Sequence, residues 1–246
     1  MYLNHDSTVP LYIQLKEHLR MQIETGIYPV GARLPSEREL AQLYNVSRMT
    51  ARQALQLLAK DGFTHSRVGK GTYVRQPRIA QELRFLTSFS EDIRQRGMMP
   101  SSKVVRAALD RADEDIAEHL QLPLQAEIVV LSRVRLADDE PIALEVCYLD
   151  HRLCPGILER HDFSHESLYQ VLREAYGHQL VWARQVIGAR MPDDSEREAL
   201  QLDGTTHVLS MIRVTYTDQN QPVEYVRSVY RGDRYQLHTM LRHANT

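Results

Sequence analysis

Two short runs of helical periodicity, separated by a break at Asn45, dominate the apolar pattern near the start of the chain. In the first, Leu40, Ala41, Leu43 and Tyr44 form one side; in the second, Ala51, Ala54, Leu55 and Leu58 recur at i, i+3, i+4 and i+7. Ser36 with Glu39 three residues on is a capping box just after Pro35, and Ser47 is placed to cap the second helix, which Gly62 ends. Upstream, Leu11, Leu15, Leu19 and Ile23 share a face and predict a third helix over 10–26. Downstream, Phe63–Val68, a Gly69-Lys70-Gly71 tip and Thr72–Arg75 predict a β-hairpin. Arg48, Thr50, Arg52 and Gln53 lie off the buried stripe of the second helix. Such a helix, packed by small apolar residues and bearing Arg, Thr and Gln near its start, suits the DNA major groove. The alternative is a solvated amphipathic hairpin. The glycine-bracketed wing directly behind the helix pair favours the first reading, with Lys70 as a point charge for a phosphate.

Further along, the pattern repeats. The segment from Asp113 (DEDIAEHLQLPLQAEIVVLSRVR) matches that from Asp193 (DDSEREALQLDGTTHVLSMIRV), with LQL triplets 80 residues apart and VLSxxR motifs 78 apart. Each copy reads as an acidic-capped helix, a break and a strand, followed by a second strand opening at Pro141 or Pro222. Two helix-plus-hairpin units predict one antiparallel sheet with quasi-two-fold symmetry and helices on one face. A cleft between the halves is a natural ligand site.

Charge divides the chain in the same place. Residues 1–77 hold 10 Lys and Arg against 6 Asp and Glu, while the whole chain carries a net charge of −2, so a basic head precedes an acidic body. At 246 residues there is room for two cores. No apolar run reaches transmembrane length and no secretory signal is visible, so no membrane role is expected. Two cysteines, Cys147 and Cys154, form neither a disulfide framework nor a zinc site by spacing, and a cytoplasmic protein is expected.

Strand alternation brings candidate chemistry onto one face of the repeat. Arg133 and Arg135 point the same way as Leu131; Glu145 and Cys147 share a side of the next strand; Glu224, Val226, Ser228 and Tyr230 share a side in the second copy. Adjacent arginines want an anion. Either they pair with Glu145 and Glu224 on a solvated face, or they hold a phosphate or carboxylate ligand. Two serine-capped helix starts, Ser88 with Phe89 and Ser90 in the first turn, and Ser167 with Tyr169, offer free amides to such an anion.

The motifs PLYxQ, LPSERELAQ, VSRMTARQAL and GKGTYV resemble the winged-helix domain of GntR-type bacterial transcription regulators. LTSFSEDIRQRG, RVRLADDEPIALE, SLYQVL and SVYRGDRY resemble the effector domain of the HutC branch, called UTRA. The resemblance implies an α+β protein: a winged helix-turn-helix domain over 1–76, a linker over 77–82, and a chorismate-lyase-like antiparallel sheet over 83–246 that binds effector and dimerises. It implies a homodimeric repressor bound to a palindromic operator in double-stranded DNA, with Arg38, Arg48 and Arg52 as the principal DNA-contacting arginines, Ser36, Ser47 and Thr50 on phosphates, and Gly69 and its neighbours in the minor groove. Within the branch the motifs are closest to regulators of amino-sugar catabolism, implying N-acetylglucosamine 6-phosphate or glucosamine 6-phosphate as effector. Ser90, Arg133, Arg135 and Ser167 would then hold phosphate, and Phe89, Glu145, Tyr169, Glu224 and Tyr230 the sugar. Cys147 and Tyr148 depart from the small polar residues found there in relatives.

Three other readings remain. An enzyme of chorismate-lyase type is disfavoured because no Ser-His-Asp or Cys-His arrangement emerges, and fold likeness alone confers no activity. A metal sensor is disfavoured because the 11 histidines are scattered without ligand spacing. A regulator of another anionic metabolite stays open. No cofactor is expected.

Overall fold

A computed structural model describes residues 3–4, 7–67, 70–75 and 78–241. The chain forms two compact units, residues 1–78 and 79–246.

In the first unit, helix α1 (Leu11–Glu24) and helix α2 (Glu37–Leu43) pack with helix α3 (Arg48–Lys60). Strands β1 (Thr64–Arg67) and β2 (Gly71–Val74) follow as an antiparallel hairpin. Ser36 and Glu39 close the expected capping box, Ser47 accepts from the Thr50 amide, and Asn45 turns the chain with φ 51°. The core is Leu15, Leu19, Ile23, Leu34, Leu40, Ala51, Ala54, Leu55, Leu58 and Val74. One expected core position fails: Leu43 is 65% exposed. It closes the last turn of a helix of seven residues, and Tyr44, one position on, packs edge-on against His18 at 5.3 Å instead. The wing is tied to the segment joining α1 and α2, since Leu34 N–H donates to Thr72 O and Val74 N–H to Ala32 O, both at 2.8 Å.

In the second unit come β3 (Ile79–Glu82), α4 (Phe89–Gln95), β4 (Pro100–Arg111), α5 (Glu114–Leu120), β5 (Glu127–Ala137) and β6 (Glu140–Asp150). After them come α6 (Ile157–Arg160), α7 (Leu168–Glu174), β7 (Leu180–Arg190), α8 (Asp194–Ala199), β8 (Val208–Thr217), β9 (Pro222–Arg231) and β10 (Tyr235–His238). Six strands form one antiparallel sheet in the order β4-β5-β6-β9-β8-β7. That palindromic order is the quasi-two-fold inferred from the repeat, each half running strand, helix, strand, strand. Both LQL triplets do the same job: Gln121 and Gln201 take left-handed φ of 55° and 52° and end α5 and α8.

The helices are not confined to one face. The repeat helices α5 and α8 share a side, where Ile116 and Leu120 meet Ile128, Val130 and Tyr225, and Leu200 meets Val208 and Val229. The opposite side is covered by α4, α6 and α7, through Phe89 and Ile93 on Ala143 and Tyr230, and through Ile157, Leu168 and Leu172 on Leu131, Cys147 and Leu149. These helices lie outside the repeated segments, so the internal symmetry carried no information about them. A second correction concerns the expected linker over 77–82. Pro77 lies outside the described residues, but Ile79–Glu82 is strand β3, paired in parallel with β10. Its partner comes from the far end of the chain, so nothing in the neighbouring residues signals the pairing.

Candidate functional site

The face of the sheet under α4 and α7 carries the chemistry. Register sets Arg133 opposite Glu145 and Arg135 opposite Ala143, then Glu145 opposite Ser228 and Ala143 opposite Tyr230, and finally Arg213 opposite Val226 and Thr215 opposite Glu224. With period-2 alternation these side chains all stand on one side. Above them, Ser88 and Ser167 cap α4 and α7, and their hydroxyls lie 3.4 Å apart, so both helix N-termini converge over the strands. Gln81 from β3 and Tyr235 from β10 complete the wall, and the free space enclosed is only about 30 Å³, room for a water or two.

The pocket is built around arginine. Arg133 and Arg135 are 1% and 4% exposed and share one oxygen of Glu145, Arg135 at 3.0 Å; the other side of Arg135 donates to Ser90 Oγ at 3.0 Å. Phe89 stacks on the Arg135 guanidinium at 4.5 Å and Phe163 on Arg133 at 5.7 Å. Arg133 Nε and Nη1, Arg135 Nε and Thr87 Oγ1 are buried without a hydrogen-bond partner. Such donors are costly and uncommon in a folded protein. Burial pushes the Glu145 carboxyl up, but Arg135 and Arg133 outweigh it and hold it at about 2. Burial and the neighbouring Glu145 charge raise Glu224, against Arg213 and hydrogen bonds from Thr215 and Tyr169, each at 3.0 Å. Burial and the Arg133 charge lower Arg135 in turn. Three guanidinium groups therefore face one firm carboxylate and one reluctant one. The site has a net positive charge and spare donors, which is chemistry for an acceptor-rich anion.

The two alternatives raised for the arginine face both describe part of it. Glu145 pairs with both arginines, yet the face is buried and Glu224 bonds Tyr169 and Thr215 instead. Phe89, Arg133, Arg135, Glu145, Ser167, Tyr169, Glu224 and Tyr230 all line the cavity. Ser90 stands behind the wall and braces Arg135. Sequence reasoning missed Arg213, Gln81 and Tyr235, which also line the cavity, and Thr215, which bonds Glu224. Arg213 was within reach: it ends the second VLSxxR motif as Arg135 ends the first, and its Nε donates to Gln185 Oε1 at 2.6 Å. Gln81 and Tyr235 had no local signal.

The first unit carries the second candidate surface. Arg38, Arg48, Arg52, Gln53 and Lys70 are exposed, and none of these cations is in an ion pair among the described residues. Ser36 and Ser47 spend their hydroxyls on helix capping, and Thr50 Oγ1 lies 2.9 Å from Ser47 Oγ, all at the starts of α2 and α3. Arg52 and Gln56 line a groove with Ser66 and Thr72 of the wing. Gly69 lies outside the described residues.

A winged helix-turn-helix with exposed arginines on its second helix, in a chain whose second unit carries a buried arginine-lined cavity, defines a two-unit DNA-binding regulator. Residues 11–74 match the family model of the gntR bacterial regulatory proteins, and residues 95–236 match the UTRA domain. The repressor NagR of Bacillus subtilis is 36% identical over 235 residues, covering 96% of each chain. The mannosyl-D-glycerate system repressor MngR of Escherichia coli is 30% identical over 93% of this chain and 94% of its own. The crystal structure of PhnF from Mycobacterium smegmatis superposes with a TM-score of 0.82 at 31% identity, over 94% of this chain and 100% of that one. The chain belongs to the GntR family, in its HutC branch with a UTRA domain, and is a DNA-binding transcriptional repressor of that type. Its relatives are regulators, not enzymes. Among the described residues no helix is long and apolar enough to cross a membrane.

Proposed function

We propose that this repressor is a homodimer released from, or fixed on, a palindromic operator by a phosphorylated amino sugar of the N-acetylglucosamine 6-phosphate or glucosamine 6-phosphate kind. The observation that carries the reading is the set of orphaned donors on Arg133, Arg135 and Thr87, buried beneath two serine-capped helix starts. A phosphate satisfies them, helped by the first-turn amides of α4 and α7. Glu145, Glu224, Tyr169 and Tyr230 then offer acceptors and hydroxyls for a sugar ring. The likeness to NagR and the amino-sugar motifs support that choice within the class.

The small free volume supports a coupling route. A sugar phosphate needs far more room than one or two waters, so its entry displaces walls. Two of those walls, Gln81 and Tyr235, belong to the β3–β10 pair, and β3 starts immediately after Arg78, where the two units divide. Movement there reaches the segment leading to the reading head. On the first unit, the reading gives Arg38, Arg48, Arg52 and Gln53 to base edges, Ser36, Ser47, Thr50 and Lys70 to phosphates, and Gly69 to the minor groove.

A thermal-shift screen of the full chain tests the effector. A ligand at a hundredfold its Kd stabilises the native form by about 2.7 kcal/mol. Glucosamine 6-phosphate or its N-acetyl form raises the melting temperature, while the unphosphorylated sugars do not. No rise with any sugar phosphate overturns the reading, and a rise with a carboxylated sugar alone moves it to another anionic metabolite.

A further inference from the structure

We propose that Met49 is a specificity-determining residue of this regulator, reading the C5 methyl group of a thymine in each half-site. The inference rests on α3 being the helix that enters the major groove, and it adds a contact that arginine chemistry cannot supply.

Ala51, Ala54, Leu55 and Leu58 are buried and fix the inward direction of the helix. At about 100° per residue, the first-turn position facing most directly away from that stripe is Met49, with Gln53 and Gln56 continuing the same outward ridge. Arg48 and Thr50 flank it on either side. Met49 is 61% exposed and adds nothing to the core.

The N-terminal residues of a recognition helix are the ones that reach base edges. Hydrogen-bonding side chains read the donors and acceptors there, but the thymine methyl is an apolar feature and asks for an apolar partner. Methionine, flexible and polarisable, suits a small convex target. With Arg48 and Arg52 matched to guanine O6 and N7 on the same helix, the half-site contains a thymine beside those guanines.

The test uses the full chain and an operator selected by it from random duplexes at fixed salt. Each thymine is replaced singly by deoxyuridine, which removes the methyl and nothing else. One thymine per half-site then costs the wild type about fourfold in affinity, equivalent to about 0.8 kcal/mol for one methyl. Met49→Ala binds thymine and uracil duplexes equally, with an unchanged melting temperature, and Met49→Leu restores the difference. Indifference of the wild type to every replacement, or a full penalty retained in Met49→Ala, overturns the proposal. Arg52→Ala separates the two readings: if it keeps operator selectivity, the assignment of α3 itself falls. If it loses selectivity while Met49→Ala still senses the methyl, only the role of Met49 falls.

Discussion

Arg133 and Arg135 sit in almost the most expensive place for charge, and Glu145 is what makes that tolerable. Its carboxyl is held at about 2, below its ordinary 4.5, so its contribution to stability is present above 4.5 and is lost as pH falls towards 2. Glu145→Gln therefore melts well below the wild type at neutral pH, and the gap narrows as the pH is taken below 4.5 in thermal denaturation. Glu224 has the opposite sign. Its carboxyl is raised above 4.5, so ionising it costs stability as pH rises through the folded value. Glu224→Gln melts higher than wild type at pH 8, with no advantage near pH 4. Arg133→Ala leaves Arg135 paired with Glu145, so the fold survives; operator binding persists, but calorimetry finds no heat with the sugar phosphate and operator affinity no longer responds to it. Residue types at this site were legible because alternation along a strand shows which side chains share a face. Their partners were not: that Glu145 takes both arginines while Glu224 turns to Tyr169 depends on strand register, which alternation alone leaves open.

At the scale of elements, the chain's punctuation was its clearest text. Ser36, Ser47, Ser88, Asp113, Ser167 and Asp193 each cap a helix, because a side-chain oxygen beside free amides is a local interaction that needs no tertiary partner. Ser47→Ala costs about 1 kcal/mol in α3, within the usual range for such caps, seen as a lower melting temperature and weaker operator binding with unchanged effector affinity. Strand β3 was hidden for the converse reason, since its pairing with β10 joins segments far apart in the chain. If β3 carries the signal, two glycines inserted between Arg78 and Ile79 slacken the connection. The sugar phosphate then binds with unchanged Kd, while operator affinity loses its dependence on it; an intact response in a fluorescence binding assay refutes the route through β3.

On the scale of the molecule, a basic reading head on an acidic body implies binding that weakens steeply with salt, because phosphate contacts release counterions. The proposed dimer on a palindrome adds a geometric demand: two heads about 34 Å apart, one turn of duplex. Inserting about five base pairs between half-sites turns one head to the far side of the DNA, and gel-shift titration then shows affinity falling to that of a single half-site. A duplex bound equally at both spacings removes the dimeric reading.

By itself the sequence determined the side-chain-capped helices, the winged head, the repeat and the symmetry of the sheet, because periodicity, capping and internal duplication are properties of neighbours in the chain. Only the tertiary structure decided which helices roof the arginine face, that Arg213, Gln81 and Tyr235 join the pocket, and that Leu43 faces water while Tyr44 packs. Those outcomes follow from contacts between segments remote in sequence, where the burial of one surface is set by the shape of another.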